Sequence, residues 1–377
     1  MLSTSILTGC GKTGSASSDS KDGKVTLNVV TAGDTNMEEL QNNYVAPILK
    51  EKYPDITLNV VGSGAGDDGS KKIYDKLKAQ KDANKETWDV DVAIVHQGIM
   101  GQMIEEGLLD KYVPLTNLEE YLTSEGAKNS LGTDVEGYVI PLFTSQTAIA
   151  YNSKNVSSVP KNVTELKTWI NENPKKFGYN GVKGGMSGVA FVATYLYAES
   201  GDVDKITKGP YDKSIEDKWP NIMSELKSLP VTYTNGNQGT LDMLNRGEIE
   251  MGPVWVDMFY TMQEEGRISP DIKLTLLEDG MPGQPMYVVI PAKAANKDEA
   301  VKFAELLGSP EVQAKVVVDK FNWYPGIDAE KVLDLCSDEA KNSLFADITA
   351  EDINKYGKAL PLAEYKIDMM DAYENAK

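Results

Sequence analysis

The sequence holds one histidine and two cysteines in 377 residues. One imidazole excludes zinc sites built on two or three histidines and leaves a single candidate base for a Ser-His or Cys-His pair. Two thiols, Cys10 and Cys336, supply neither a metal-thiolate cluster nor a disulfide framework. Basic residues are scarce beside acids, 38 Lys and Arg against 57 Asp and Glu, for a formal net charge of −19. That balance argues against nucleic acid as a partner, because neutralising phosphate needs clustered Lys and Arg. No apolar run approaches the roughly 20 residues of a membrane-spanning helix. With 41% hydrophobic and 25% charged residues, the composition is that of a folded chain rather than a disordered one. The length suggests two domains at about 150 residues each.

At the N-terminus, Leu7-Thr-Gly-Cys10 resembles the lipobox of bacterial lipoproteins. There the Cys is diacylated and becomes the mature N-terminus. Residues 1–10 then read as a signal remnant and 11–23, rich in Gly, Ser, Asp and Lys, as a flexible tether. The resemblance implies a body anchored through Cys10 to the outer face of the cell membrane.

Along the body, strand and helix alternate. Lys24–Thr31, Ile56–Val61 and Trp88–Val95 read as strands; Met37–Lys52, Lys71–Ala83 and the segment up to Glu106 read as helices. Such alternation predicts a parallel α/β sheet, with ligands beyond the carboxyl ends of its strands. The loops at Ala32–Asp34, Gly62–Gly69 and His96–Gly98 fall there. Tyr138–Asn152 is a long extended run broken by Pro141; Val163–Asn173 and Gly188–Glu199 are helical. Ile249–Val256 and Gln284–Ile290 are later strands, Glu299–Leu307 and Glu311–Val318 helices, and the acidic tail from Ala329 is mostly helical.

From Tyr138 onward the order of signals resembles the extracellular solute-binding proteins of bacterial ABC importers. The matching pieces are Ile140-Pro141 through Ala150-Tyr-Asn152 to Val159-Pro160, and Gly247-Glu-Ile-Glu-Met-Gly-Pro-Val-Trp255. Ile290-Pro291, Ser309-Pro-Glu-Val-Gln313 and Tyr324-Pro325 follow in order. Trp169–Phe177 and Ser187–Val192 are similar to a branch near the thiamine, iron and polyamine binders, although Pro174-Lys-Lys-Phe177 stands where that branch has Pro-Gly-Arg-Phe. The resemblance implies the periplasmic-binding-protein fold, an α/β architecture of two lobes, each a mainly parallel sheet flanked by helices. Crossing strands near Leu142–Ser145 and Pro285–Val288 would join lobe 1 (24–142 plus 289–322) to lobe 2 (143–288 plus 323–377). Hinge closure around a solute would create the surface that the membrane permease reads.

Candidate contacts follow from position and chemistry. Gly64-Ala-Gly-Asp-Asp-Gly69 fits G-x-G-x-x-G, but two carboxylates inside the loop would repel a pyrophosphate, so a cleft loop or plain turn is the stronger reading. Asp34, Ser63 and Asp67 lie on these first loops. His96 and Gln97 end a buried strand and each both donates and accepts, which suits a polar solute; a helix-capping His is the alternative. Ser145 and Gln146 lie on the crossing strand. Ser187 opens a helix whose free N–H groups favour an anion, or it is a simple N-cap. The resemblance implies that Trp255, Tyr287, Trp323 and Tyr324 fall on segments facing the cleft, where their flat faces would hold a ring or cation and Asp257 beside Trp255 would suit a cationic group, with core packing as the competing role for each ring. Cys336 reads as a small buried hydrophobe.

The expectation is a monomeric, non-enzymatic receptor that uses no cofactor or metal and captures a small polar organic solute, such as a thiamine-like cation. Sugar, polyamine, phosphonate and iron are the alternatives within the class. The rival from another class is a secreted hydrolase that uses paired carboxylates.

Overall fold

The computed structural model describes residues 24–33, 35–64 and 66–377, with the side chains of 66 and 67 omitted. Cys10, the tether 11–23, Asp34 and the side chain of Asp67 lie outside the described residues.

Three parallel strands open the chain: β1 (Val25–Ala32), β2 (Ile56–Gly64) and β3 (Val92–His96), with β1 between the other two. β-branched residues fill them, and β3 is buried along Val92–Val95, as a strand covered on both faces must be. The predicted strand from Trp88 starts later because Asp91 interrupts it. That fully buried carboxylate accepts the backbone N–H groups of Asn28 and Asn296 and holds two segments that a ladder would otherwise pair. The helix predicted over 37–52 widens to a π-helical turn at Leu40–Val45, just before Pro47, whose missing N–H removes a rung. After β2, α1 (Gly66–Asp82) begins five residues earlier than its periodicity indicates.

β4 (Ile140–Asn152) is the long crossing strand. Its first half pairs antiparallel with β7 (Met281–Val289), which in turn pairs antiparallel with β3. Its second half pairs antiparallel with β5 (Met251–Trp255) and β6 (Ile272–Thr275). Around β4 the second lobe is therefore antiparallel. Parallel pairing in that lobe, among the described residues, is short: Gly178–Tyr179 with Thr232–Tyr233, Met281-Pro282 with Gly357-Lys358, and a bridge from Phe177 to Met251. Between Met286 and Tyr287 the β4–β7 register slips opposite Pro141, which cannot donate to the ladder. A third segment, β8 (Tyr324–Pro325), pairs with Thr144 and Phe143, so three strands cross at one level.

Two hydrophobic cores lie on either side of this crossing. One is built on β1–β3 and α5 (Lys297–Leu307), with Leu27, Val29, Ile94 and Phe303 fully enclosed. The other surrounds α2 (Met186–Ser200), whose first turns are buried on every side because strands, helices and the C-terminal tail all pack on it. Tyr365, Met369 and Tyr373 from the last helix complete that second core.

Candidate functional site

The carboxyl ends of β1, β2 and β3 gather at one edge. Gly33 bridges Gly64, and the His96 N–H donates to Ser70 Oγ at 2.9 Å. Ser63 Oγ donates to the Thr31 carbonyl at 3.0 Å, and Lys72 Nζ to the Ser63 carbonyl at 3.1 Å. The G-x-G-x-x-G glycines serve this approach of helix to strand. Gly64 has a φ of +108°, and a Cβ on Gly69 would stand 1.9 Å from the Gly64 carbonyl oxygen. Gly69→Ala is accordingly expected to destabilise the chain by about 1–3 kcal/mol in urea unfolding. Unchanged stability would show that the loop re-forms freely.

Strand alternation and cross-strand pairing decide which residues share a face of the hinge. On one face stand His96, Met286 opposite it, Phe143 and Ser145, with Gln284 paired to Ser145. Trp323 lies over Phe143 with ring centroids 4.2 Å apart, and Phe321 lies over Trp323 at 4.8 Å. Ser145 Oγ donates to Asp257 Oδ1 at 3.1 Å, and Trp255 stands opposite Thr147, two residues along the same face. His96, Ser145, Trp255 and Asp257 therefore fall on one face of the crossing strands, the face on which Ser145 and Asp257 meet.

On the opposite face stand Thr144, Gln146, Gly283 and Pro285, which line a cavity of about 480 Å³ together with Gln97 and Tyr324. The crossing strand thus separates two neighbours in sequence. Ser145 faces Asp257, whereas the buried Gln146 turns away and donates its amide to the Thr147 and Met281 carbonyls at 2.9 and 3.0 Å. Period-two alternation makes both facing the same cleft impossible.

The aromatic candidates divide similarly. Trp255 is half-buried, with its backbone N–H donating to Asn237 Oδ1 at 2.8 Å. Trp323 is nearly buried in its stack. Tyr287 is fully enclosed, its hydroxyl donating to the Gly126 carbonyl at 2.6 Å, and Tyr324 donates to the Leu344 carbonyl at 3.1 Å. Burial raises both phenol pKa values well above the ordinary one. Ser187 is fully buried on the first turn of α2 and donates to Asn180 Oδ1 at 3.3 Å; Gly185, not Ser187, is the N-cap.

Three helix starts meet beside Trp255. α2, α3 (Gly236–Asn245) and α4 (Val256–Glu264) all begin without a hydrogen bond from an N-cap side chain, and at α4 the Asp257 carboxyl takes up the N–H groups of Asp257 and Met258. A Cβ on Gly185 would lie 4.0 Å from Gly236 Cα, and Asn237 reaches the Trp255 backbone. Asp257 sits in the first turn of α4. Burial raises its carboxyl pKa above the ordinary value, against which the Ser145 hydroxyl and the N–H groups of Asp257 and Met258 act. Among the described residues no Lys or Arg forms an ion pair with it. The residues that sequence reasoning passed over are Gln284 and Asn237; the first follows from pairing with Ser145, the second has no local signal.

Among the described residues no group of three or more His, Cys, Asp or Glu is arranged to hold a metal ion. No described helix is long and apolar enough to cross a membrane. Cys336 is buried, and burial raises its thiol pKa to about 11.

No curated protein sequence matches the chain. Solved structures do match the fold over nearly its whole length. A spermidine/putrescine ABC transporter substrate-binding protein from Streptococcus pneumoniae aligns with a TM-score of 0.65 at 16% identity, over 93% of this chain and 97% of that one. An extracellular solute-binding protein from Bordetella parapertussis aligns with a TM-score of 0.67 at 16% identity, over the same shares. A GABA receptor aligns with a TM-score of 0.61 at 20% identity, over 92% of this chain and 96% of that one. Each shares the two-lobed α/β architecture. The model of the bacterial extracellular solute-binding proteins matches residues 43–330, which include the crossing strand β4 and parts of both hydrophobic cores. The chain belongs to the bacterial extracellular solute-binding proteins.

Proposed function

We propose that this receptor serves an ABC importer and binds a small organic solute bearing a cationic nitrogen in the concavity bordered by Ser145, Trp255 and Asp257. The observation that carries this reading is Asp257. A carboxylate lowered into a cleft, with one hydroxyl and its own helix start as donors and no cation beside it, pays desolvation that a bound ammonium or ring cation offsets. Trp255 supplies a face for the cation or for a ring. The uncapped starts of α2 and α3 would hold an acceptor group on the same solute. The spermidine/putrescine and GABA binders among the structural neighbours carry solutes with amine nitrogens, which fits this chemistry. The same placement favours a cationic organic solute over ferric ion. Lobes 24–142 plus 289–322 and 143–288 plus 323–377 would close about β4, β7 and β8 and present the closed face to the permease. Anchoring through Cys10 would keep the receptor at the membrane.

The test is thermal unfolding against thiamine, putrescine, spermidine, GABA, sugars, phosphonates and ferric ion. A ligand at about 1,000 times its Kd adds about 4 kcal/mol to the native state. The cationic nitrogen compounds are expected to raise the midpoint, and the best of them to compact the chain in small-angle scattering without being consumed. A response only to sugars or phosphonates sinks the cationic reading; turnover sinks the receptor reading. Trp255→Ala is expected to weaken the best cation by about 1–2 kcal/mol in calorimetric titration. Equal affinity would return Trp255 to a packing role.

A further inference from the structure

We infer that the cavity on the opposite face of the hinge is a second small-molecule site, for a neutral, oxygen-rich molecule of monosaccharide to disaccharide size. At about 480 Å³ it falls within the roughly 300–1,000 Å³ of ordinary ligand pockets. It is not the concavity of Asp257, because Thr144 and Pro285 line it from the other side of the same strands.

Its inner wall carries an unmet donor. Gln97 is 3% exposed, and its side-chain Nε2 has no hydrogen-bond partner among the described residues, although the Gln97 carbonyl accepts Ser130 Oγ at 3.0 Å. A buried amide N–H without an acceptor is costly, and a hydroxyl or carbonyl oxygen on a ligand removes that cost. The charges around the cavity cancel: Glu125 and Asp204 against Lys208 and Lys358. Lys208 Nζ already lies 3.5 Å from Glu125 and 3.2 Å from Asp204. A charged ligand would find no net field to favour it. Pro141, Pro285 and Pro325 add apolar patches that suit the C–H faces of a sugar ring.

The position gives the site a consequence. Glu125 comes from the first lobe and Lys208 from the second, so the pair spans the lobes behind the hinge. A rotation that narrows the Asp257 concavity widens this cavity, and an occupant resists its narrowing again. Occupancy would therefore hold the front concavity closed and tighten solute binding there, with the reciprocal effect required by linkage.

The experiment titrates the full chain calorimetrically with glucose, myo-inositol and sucrose, alongside Gln97→Leu, Asn354→Trp and Asp257→Asn. Asn354 is exposed at the cavity rim, so its variant plugs the mouth without entering a core. At least one probe is expected to bind the unmodified chain, to lose about 10-fold or more in affinity with Gln97→Leu and with Asn354→Trp, and to bind Asp257→Asn unchanged. If Gln97→Leu unfolds, Asn354→Trp alone decides. No binding by any of the three probes overturns the proposal. So does binding that Asn354→Trp leaves intact, and weakening by Asp257→Asn alone would assign the sugar to the front concavity instead.

Discussion

Asp257→Asn is expected to weaken the best cationic solute by about 30- to 150-fold, or about 2–3 kcal/mol, the scale of a hydrogen-bonded charge pair out of bulk water. Asn keeps the shape and the Ser145 contact but removes the charge that Ser145, Asp257 and Met258 donors support. The fold should not suffer. Burial raises the Asp257 pKa, so between the ordinary carboxylate range and that raised value the native chain holds a proton that the unfolded chain has lost. Stability contributed by this group therefore falls as pH rises through that window, and above it the ionised acid is a burden that Asn lifts. Solute binding has the opposite dependence. A bound cation favours the carboxylate, so affinity drops as pH falls through the raised pKa, and binding within that window releases a proton. Calorimetric titration in buffers of different ionisation heat reads that proton directly. An Asn variant that binds the cation as tightly as Asp257 does would remove the carboxylate from the contact.

The largest loss of stability is expected from Gln313→Leu. Gln313 is fully buried, and its amide ties three segments at the hinge. Its Nε2 donates to the Leu142 and Leu307 carbonyls at 2.9 and 2.8 Å, while its Oε1 accepts the Gly326 N–H at 2.8 Å. Leucine fills the same space and orphans all three backbone groups. At about 1–3 kcal/mol for each orphaned group, and allowing for partial rearrangement, the loss is about 3–5 kcal/mol. Rearrangement is restricted because Gly326 sits against the crossing strand, where even a Cβ would come within 2.0 Å of the Pro141 carbonyl oxygen. Urea unfolding reads the change as a lower midpoint at constant slope. A loss below about 1 kcal/mol would mean that water or a shifted backbone replaces the amide.

The Gln313 result bears on what was legible beforehand. Ser309-Pro-Glu-Val-Gln313 stood out as a piece of a familiar order, yet nothing local shows that its last residue clasps a strand 171 positions away. The family and the α/β class were legible because hydrophobic periodicity and the order of turn residues are local properties that each segment carries by itself. Charge likewise argues against nucleic acid as a partner, and a single His rules out zinc sites built on two or three imidazoles, without any coordinates. The family resemblance also brought Ser145, Trp255 and Asp257 to notice, because it implies a crossing strand at Ser145 and a cleft-facing segment at Trp255.

What only the tertiary structure decided is the side of the hinge on which each residue falls. Ser145 and Gln146 are adjacent and chemically alike as hydrogen-bonding groups, but a strand sends neighbours to opposite faces, and which face is the front depends on β7, β8 and α4 arriving from more than a hundred residues away. The same holds for His96 and Gln97. Tyr287 and Tyr324 look like stacking platforms in sequence, and their hydroxyls instead satisfy carbonyls at Gly126 and Leu344, partners no periodicity predicts. Gln284 enters beside Ser145 purely through strand register. Sequence determines which segments form and what chemistry they carry; long-range pairing determines which of those groups share a space, because that depends on contacts between residues whose separation along the chain leaves no local trace.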